Sequence, residues 1–307
     1  MAKSDIVGAA AIADKGWFKA HKWLILRRMS QLGILALFLT GPLFGIWIVK
    51  GNLASSLTLD VLPLSDPHIL LQALLSGVTP EAAAFVGAAI VLAFYMLVGG
   101  RVYCAWVCPV NMVTDAAAWL RRKLGIRGSS HMSRSTRFWM LALTLILPLV
   151  TGSIVWELVN PVSMMFRGIV FGLGMAWILI LGVFLFDLLV SRDGWCGHLC
   201  PVGAFYSLLS ARAPLRVSAL NREACDDCMD CFAVCPESQI IKPALKGAAK
   251  GITPVIQSNQ CTNCGRCIDV CAPGVFSFSN RFSNINNLES PTAAGLETNR
   301  DIGTRAT

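Results

Sequence analysis

Charged residues are scarce in this sequence. Only 14% of its 307 residues are charged, whereas 55% are hydrophobic, and the mean hydropathy is +0.60. A soluble domain presents so much surface to water that this composition would not keep it in solution. The scarcity of charge therefore argues against an ordinary soluble domain and indicates a membrane protein.

Four stretches contain no charged residue at all and are long enough to cross a hydrocarbon core of ~30 Å. We predict transmembrane helices at residues 29–49, 82–99, 138–156 and 168–186. Seven of the nine tryptophans lie near the ends of these spans, at the headgroup level that amphipathic rings prefer. These predicted anchors are Trp17, Trp23, Trp47, Trp119, Trp139, Trp156 and Trp195. The sequence predicts a polytopic α-helical membrane protein, with an N-terminal segment over residues 1–28 and the membrane domain over residues 29–216.

Lysine and arginine are nearly absent from two of the loops. The loops after the first and third predicted spans hold one each, Lys50 and Arg167, whereas the other flanks are rich in both residues. The positive-inside rule then places both termini and the middle loop in the cytoplasm of a bacterial inner membrane. No basic stripe with interleaved aromatic residues lies outside the membrane flanks, so the net charge of +8 does not indicate a nucleic-acid partner.

An export signal is also missing. Arg27 and Arg28 precede an apolar run, but no cleavage site of small residues follows, and the run is long enough to span the membrane. We interpret the arginine pair as a cytoplasmic charge anchor.

No cysteine is left over for a structural disulfide. All twelve belong to regular motifs, as expected for thiols that face a reducing cytoplasm. Two C-x3-C-P pairs follow the second and fourth predicted spans, and two C-x2-C-x2-C-x3-C runs follow them. The pairs are Cys104 with Cys108 and Cys196 with Cys200, and the runs are Cys225, Cys228, Cys231 and Cys235, then Cys261, Cys264, Cys267 and Cys271.

The two runs have the spacing of two-cluster bacterial ferredoxins. In that arrangement the fourth cysteine of each run ligates the other cluster, so we predict crossed ligation of two [4Fe-4S] clusters. One cluster is assigned Cys225, Cys228, Cys231 and Cys271, and the other Cys261, Cys264, Cys267 and Cys235. Tetrahedral zinc is the alternative, but zinc sites usually repeat two-cysteine pairs. Residues 217–282 are predicted to form an α+β ferredoxin-like domain, followed by a disordered tail over residues 283–307.

The membrane region repeats one unit, which consists of two spans, a C-x3-C-P pair and a short amphipathic segment. In a helix, residues i and i+4 share a face, so each pair presents two sulfurs together. The four thiols could bind a metal or cofactor jointly, undergo dithiol chemistry or only pack. Covalent haem attachment is disfavoured because it needs C-x-x-C-H, and His198 lies inside its pair.

A membrane electron carrier needs a lipid-soluble reductant such as quinol, and quinol oxidation needs a proton acceptor. Acidic residues at span ends are the candidates, among them Asp66 and Asp187. Glu157 is the first choice, with Asn160 to hydrogen-bond the quinol and Trp156 to stack on its ring. On this hypothesis, Glu157→Gln would lower quinol-dependent cluster reduction ~100-fold without removing the clusters.

Taken together, these motifs resemble the NapH family, ferredoxin-type quinol dehydrogenase membrane subunits of periplasmic nitrate reductase systems. The resemblance covers nearly the whole chain outside the polar tail. It is carried by Trp23-x-x-Leu26-Arg27-Arg28, Gly41-Pro42-x-Phe44-Gly45, Cys104-x-Trp106-Val107-Cys108-Pro109, Trp156-Glu157-x-x-Asn160-Pro161-Val162-Ser163, Gly194-Trp195-Cys196-Gly197-His198-x-Cys200-Pro201 and both ferredoxin runs.

The resemblance implies that the chain takes electrons from quinol together with an iron–sulfur subunit of the NapG type. It further implies transfer to a NapC-type tetrahaem cytochrome and a periplasmic nitrate reductase. Rival relatives are NosR-type donors, which carry an extra flavin-bearing domain, and MauN-type donors of similar size. An assembly factor is the rival from another class, although such factors carry an added C-terminal folded domain.

Overall fold

A computed structural model of the chain describes residues 7–126, 128, 130, 132–172 and 174–282. The chain begins with helices α1 (Ala9–Lys15), α2 (Trp17–Ala20) and α3 (Lys22–Phe44). The helix α3 starts before the start of the predicted first span, and it ends before the end of that span. It ends at Phe44 because Gly45 adopts the left-handed conformation (φ 73°), which glycine tolerates without steric cost. The predicted limits 29–49 of this span are therefore wrong.

The region after α3 was expected to be a plain loop and instead folds into a small sheet. Three short strands, β1 (Val49–Gly51), β2 (Ser55–Thr58) and β3 (Leu62–Ser65), pair antiparallel in that order. The helix α4 (Pro67–Leu75) follows directly. Asp66 caps it by accepting a 2.9 Å hydrogen bond from the His68 amide, and proline occupies its first position.

The second apolar segment forms α5 (Ala82–Val98), in close agreement with the prediction. A turn at Gly99 and Gly100 leads into α6 (Val102–Trp106) and then into the amphipathic α7 (Val110–Lys123). Gly100 is required by packing, because a Cβ atom there would lie 1.8 Å from the carbonyl oxygen of Tyr206. The turn before the first cysteine pair is thereby held against the helix that follows the second pair.

The third apolar segment is shorter than predicted. The helix α8 (Thr136–Thr151) ends at Gly152, and the short α9 (Trp156–Val159) and α10 (Pro161–Phe171) follow. Trp156 is only 4% exposed and packs in an interior cluster. Its predicted role as an anchor at the lipid headgroups is therefore wrong, because its ring is enclosed by protein.

The fourth apolar segment is divided. Gly172 takes a left-handed conformation (φ 66°) and ends α10, so the apolar helix α11 (Gly174–Leu185) starts later than the predicted span 168–186. A π-helical turn (Phe186–Val190) extends α11, and a second π-helical turn (Trp195–Leu199) precedes α12 (Pro201–Leu209). The predicted start of this span is wrong, since the glycine breaks the helix inside it.

Large apolar side chains remain exposed along α3, α5, α8 and α11, for example Phe94 and Met175. Extended exposed apolar surface of this kind is typical of proteins that contact a membrane. Among the described residues, one helix, Lys22–Phe44, is long and apolar enough to cross a bilayer, and the other apolar helices have at most 17 residues. The four-span arrangement stays a prediction.

The C-terminal part is a small α+β lobe, as predicted. The strand β4 (Leu215–Ser218) pairs antiparallel with β5 (Ser277–Asn280), and between them lie α13 (Asp230–Val234), α14 (Ile241–Lys246) and α15 (Arg266–Val270). The lobe's core combines aliphatic side chains with buried cysteines. The predicted disordered tail lies outside the described residues.

The N-terminal helices pack on this lobe. The Gly8 amide donates to Asp230 at 2.8 Å, and the amides of Trp23 and Leu24 donate to the carboxylate of Asp269 at 3.1 and 2.9 Å. The start of α3 is thereby held beside the second cysteine run.

Candidate iron–sulfur sites and the interface beneath them

The cysteines of the C-terminal lobe line two separate cavities. The first cavity is lined by four cysteines, three from the first run and one from the second. Met229 takes a left-handed conformation (φ 67°) just before α13, which turns the chain tightly between two of these cysteines. The four cysteines are Cys225, Cys228, Cys231 and Cys271.

The second cavity has the complementary composition. Its cysteines are Cys261, Cys264 and Cys267 of the second run and Cys235 of the first run. Gly265 (φ 72°) precedes α15 in the same way that Met229 precedes α13. The two runs therefore fold as related halves, and the structure brings the cysteines together in the crossed sets.

The donor sets fit iron–sulfur clusters. The Cys231 thiol lies near Cys228 and Cys271, and burial followed by these neighbours raises its pKa to about 12. Closely packed buried thiols become thiolates when a cationic metal centre compensates their charge. The described residues contain no group of three or more Cys, His, Asp or Glu side chains tight enough for a single metal ion. Each cavity combines three cysteines of one run with one cysteine of the other, which is the ligand pattern of two-cluster ferredoxins.

The four thiols of the C-x3-C-P pairs are half-buried and lie close enough to act on one another electrostatically. Cys104 lies in α6 and Cys196 in a π-helical turn, while Cys108 and Cys200 stand at the starts of α7 and α12. The Cys104 sulfur lies 3.9 Å from where a Cβ atom of Gly203 would stand. Burial, followed by the neighbouring Cys104 thiol, raises the pKa of Cys200 to about 12.

Two helix N-termini point at these thiols. The backbone amides of Val110 and Asn111 lower the pKa of the Cys108 thiol, and those of Val202 and Gly203 lower the pKa of the Cys200 thiol, against the larger rise that burial causes. Amides and the positive end of a helix dipole favour negative charge on sulfur. The two halves of the repeat therefore contribute equivalent polar support to one thiol site, named here the four-thiol site (Cys104, Cys108, Cys196 and Cys200).

A buried ionic network joins the four-thiol site to the lobe. Glu237, next to the second cavity, accepts hydrogen bonds from Arg101 at 2.7 Å and from Arg137 at 2.9 Å, and also pairs with Arg134. Arg101 also donates to the carbonyl oxygens of Gln260 at 2.9 Å and, with longer geometry (3.4 Å), of Cys196. One arginine therefore contacts both the residue that precedes the second cysteine run and the second C-x3-C-P pair.

The sequence interpretation missed this network. In the sequence, Arg101 and Arg134 counted only among the basic residues that flank the spans, and Glu237 was not singled out. The position of Glu237 directly after Cys235-Pro236 and that of Arg101 three residues before Cys104 were the available signals. It also missed that all three tyrosines of the chain, Tyr95, Tyr103 and Tyr206, pack together beside the four-thiol site, with ring centroids 4.9–6.0 Å apart.

The residues predicted for quinol lie together at the far end of α8. The Asn160 amide donates to Glu157 and to Ser163, each at 3.2 Å, and its carbonyl caps α10 by accepting from the Val162 amide. Arg167 approaches Glu157 at 3.8 Å. The structure thus gives Asn160 a helix-capping role, and the proton-accepting role of Glu157 stays a prediction.

Comparison with known proteins agrees with the cysteine geometry. The family described as "4Fe-4S binding domain" matches residues 82–127 and 173–218, and the family described as "4Fe-4S dicluster domain" matches residues 224–275. Each of the two former segments contains one C-x3-C-P pair. The chain is thus an iron–sulfur electron-transfer protein with ferredoxin-type domains. No solved structure matches the chain.

Curated relatives are similar over nearly their whole length. "Ferredoxin-type protein NapH" of Haemophilus influenzae is 51% identical over 88% of this chain and 93% of the relative. NapH of Escherichia coli is 45% identical, over 90% and 96%. "Methylamine utilization ferredoxin-type protein MauN" of Methylorubrum extorquens is 51% identical, over 91% and 96%. The chain belongs to the NapH-type family of ferredoxin-type proteins, to which MauN is related.

Proposed function

We propose that the chain is the membrane subunit of a quinol dehydrogenase, with four transmembrane helices and two [4Fe-4S] clusters in its C-terminal lobe. It takes electrons from quinol with a NapG-type iron–sulfur partner and passes them toward a NapC-type cytochrome and a periplasmic nitrate reductase. The observation that carries this proposal is the pair of crossed four-cysteine cavities, packed on helices whose apolar faces are exposed.

The proposed reaction balances in electrons and protons. Oxidation of one quinol to quinone releases two electrons and two protons. Bound [4Fe-4S] clusters supply one-electron acceptors, and the protons pass to water. The protein contributes the cysteine ligands and nearby cationic side chains, such as Arg266, which lines the second cavity, and Arg101, which contacts the Gln260 carbonyl.

The direct test is anaerobic reduction. Protein purified with its partner subunit and placed in lipid nanodiscs is mixed with menadiol, and the visible absorbance of its iron–sulfur clusters is followed. Rapid bleaching supports the proposal. Full iron content without bleaching by quinol, but with bleaching by dithionite, would contradict it.

Membrane topology gives a separate prediction. Reporter fusions after Arg127 and after Phe282 should report the cytoplasm, and fusions near Leu59 or Ser163 the periplasm, because lysine and arginine concentrate on the first side. Alkaline phosphatase and green fluorescent protein fusions in whole cells provide the two readouts. A periplasmic readout after Phe282 would place the clusters on the opposite side of the membrane and overturn the proposed orientation.

We assign the four-thiol site a redox or metal-binding role. Its position supports this role, since Arg101 contacts both Cys196 of this site and Gln260, which directly precedes the second cysteine run. Replacing Cys104 and Cys196 with serine should leave lobe iron unchanged while transfer to the cytochrome partner falls at least ~10-fold, as for loss of one positioned catalytic group. Stopped-flow haem reduction measures this transfer. An unchanged rate of haem reduction would show that the four thiols only pack and have no redox or metal-binding role.

Methylamine utilisation is a second candidate setting. The MauN relative of Methylorubrum extorquens is as similar to this chain as the NapH relative of Haemophilus influenzae, at 51% identity each. Both settings use the same proposed electron transfer and differ in the final acceptor. Complementation of napH and mauN deletion strains with this chain separates them, since restored growth on nitrate respiration or on methylamine identifies the acceptor pathway.

A further inference from the structure

The largest cavity among those described lies outside both cysteine sets. It holds about 530 Å³ and opens at the junction of α3, α5, α6 and the C-terminal lobe. Volumes of this size are typical of sites for small organic ligands. We name it the junction groove. Its walls include Trp23, Ile34, Phe94, Val98, Trp106 and Phe278.

Aromatic rings dominate the walls of the junction groove. Trp23 packs edge-on against Trp106 and Phe278, with centroids 6.2 and 4.6 Å apart, and Phe94 is 52% exposed at the groove's outer side. A flat aromatic ligand can stack between such rings, and an apolar tail can leave past Phe94. The exposed apolar face of α5 around Phe94 directs that exit toward lipid.

A few polar side chains interrupt this apolar lining. Ser30 donates its hydroxyl hydrogen to the Trp106 carbonyl at 2.9 Å, which leaves its oxygen as an acceptor, and Tyr95 also lines the groove. Asn263 forms part of the floor through its amide, which donates to the carbonyls of Val98 and Leu215. One or two oriented polar groups in an apolar pocket are what a ring with two oxygen atoms requires.

Residues from the second cysteine run and from the first C-x3-C-P pair form the floor of the groove. Asn263 stands between Cys261 and Cys264, and its side-chain oxygen lies 3.3 Å from the Cys261 sulfur. Trp106 stands between Cys104 and Cys108 and donates its indole N–H to the Asn263 carbonyl at 3.1 Å. A ligand in the junction groove would therefore lie against the second cluster's binding loop and against a C-x3-C-P pair.

We propose that the junction groove binds the ring of a membrane quinol or quinone. This inference rests on the proposed function and gives that function a site. The chemical class follows from the groove's shape and place: flat aromatic walls, sparse polar groups, an exit to lipid and a floor made of a cluster-binding loop.

The junction groove and the site predicted at Glu157 are alternative positions for the quinol. Arg137, near the start of α8, contacts Glu237 beside the second cavity, whereas Glu157 follows the opposite end of that helix. Trp156, the neighbour of Glu157, packs in the same cluster as the three tyrosines beside the four-thiol site. The junction groove differs because a cluster-ligand loop itself forms part of it.

The test uses a photoreactive azido-substituted decyl-benzoquinone on the full-length protein in nanodiscs. Cross-linked peptides should carry residues of the groove walls, and excess decylubiquinone should suppress them. Ile34→Trp should lower the cross-link yield at least ~10-fold, because an indole fills the space that the ring needs. Leu32→Trp is the matched control, since Leu32 lies on the same helix, outside the groove, and is 53% exposed.

The outcomes separate the site from the function. Iron content and visible absorbance confirm that both variants keep their clusters. Cross-links in the groove without cluster reduction by menadiol would support the site and contradict the proposed function. Cluster reduction that survives Ile34→Trp but is lost in Glu157→Gln would overturn the groove in favour of Glu157. Cross-links that lipid acyl chains suppress as well as decylubiquinone does would also overturn it, as a nonspecific lipid groove.

Discussion

Replacing Glu237 with alanine is expected to destabilise the protein by about 3–5 kcal/mol, because it leaves buried arginines without a counter-charge. Glu237 is 1% exposed, and its partners Arg101 and Arg137 are 1% and 0% exposed. The charges are thus screened very little by water, and within the described part of the chain Nε of Arg101 and Nε and Nη2 of Arg137 have no hydrogen-bond partner. We expect a lower Tm and earlier proteolysis between α12 and β4, where the chain enters the lobe.

Thermal unfolding followed by circular dichroism, in the same detergent for every variant, measures this effect. Lys50→Ala is the matched control, because it breaks an ion pair with Asp60 in which both side chains are largely exposed. Exposed pairs contribute little to stability, so the control should unfold as the parent does. A Glu237→Ala protein with the parental Tm and protease resistance would show that the network does not hold the lobe in place.

Replacing Cys271 with serine is expected to remove about four irons per chain, because the crossed arrangement makes it the fourth ligand of the first cavity. The remaining cluster should be the one held by the other cavity. Iron analysis and electron paramagnetic resonance of anaerobically purified protein measure both quantities.

Paired substitutions make the ligand assignment unambiguous. Adding Cys225→Ser to Cys271→Ser should cost no further iron, since both residues line the first cavity, whereas adding Cys264→Ser should remove about four more. An uncrossed arrangement would give the reverse, with the Cys271 and Cys264 pair retaining one cluster. The single substitution alone cannot distinguish these arrangements, because either one loses one cluster.

The cysteine motifs were the part of this protein that its sequence revealed most directly. The spacing of Cys225 to Cys235 and of Cys261 to Cys271 reports a local constraint, because each run must wrap three sulfurs around one cuboidal centre. Such a constraint acts between residues close in sequence and is therefore visible in the sequence itself. The family membership and the iron–sulfur character predicted from these runs are confirmed.

Helix limits were predicted less well. Hydropathy measures which residues tolerate lipid, not where a backbone turns, so the predicted spans ran through the left-handed glycines Gly45, Gly152 and Gly172. The strands β1 to β3 were missed for a related reason. Their three or four residues alternate too briefly to give a periodic signal, and pairing between them stabilises them.

The sequence by itself determined the class of cofactor, the repeat and the family, because these depend on residue types at short spacing. Only the tertiary structure decided which side chains surround that chemistry. Glu237 meets Arg101 across more than a hundred residues, and Trp106 meets Asn263 across a still longer stretch. Such pairs have no spacing rule, because packing of the lobe on the helices brings them together. The junction groove exists only between those two parts, so no segment of the sequence encodes it alone.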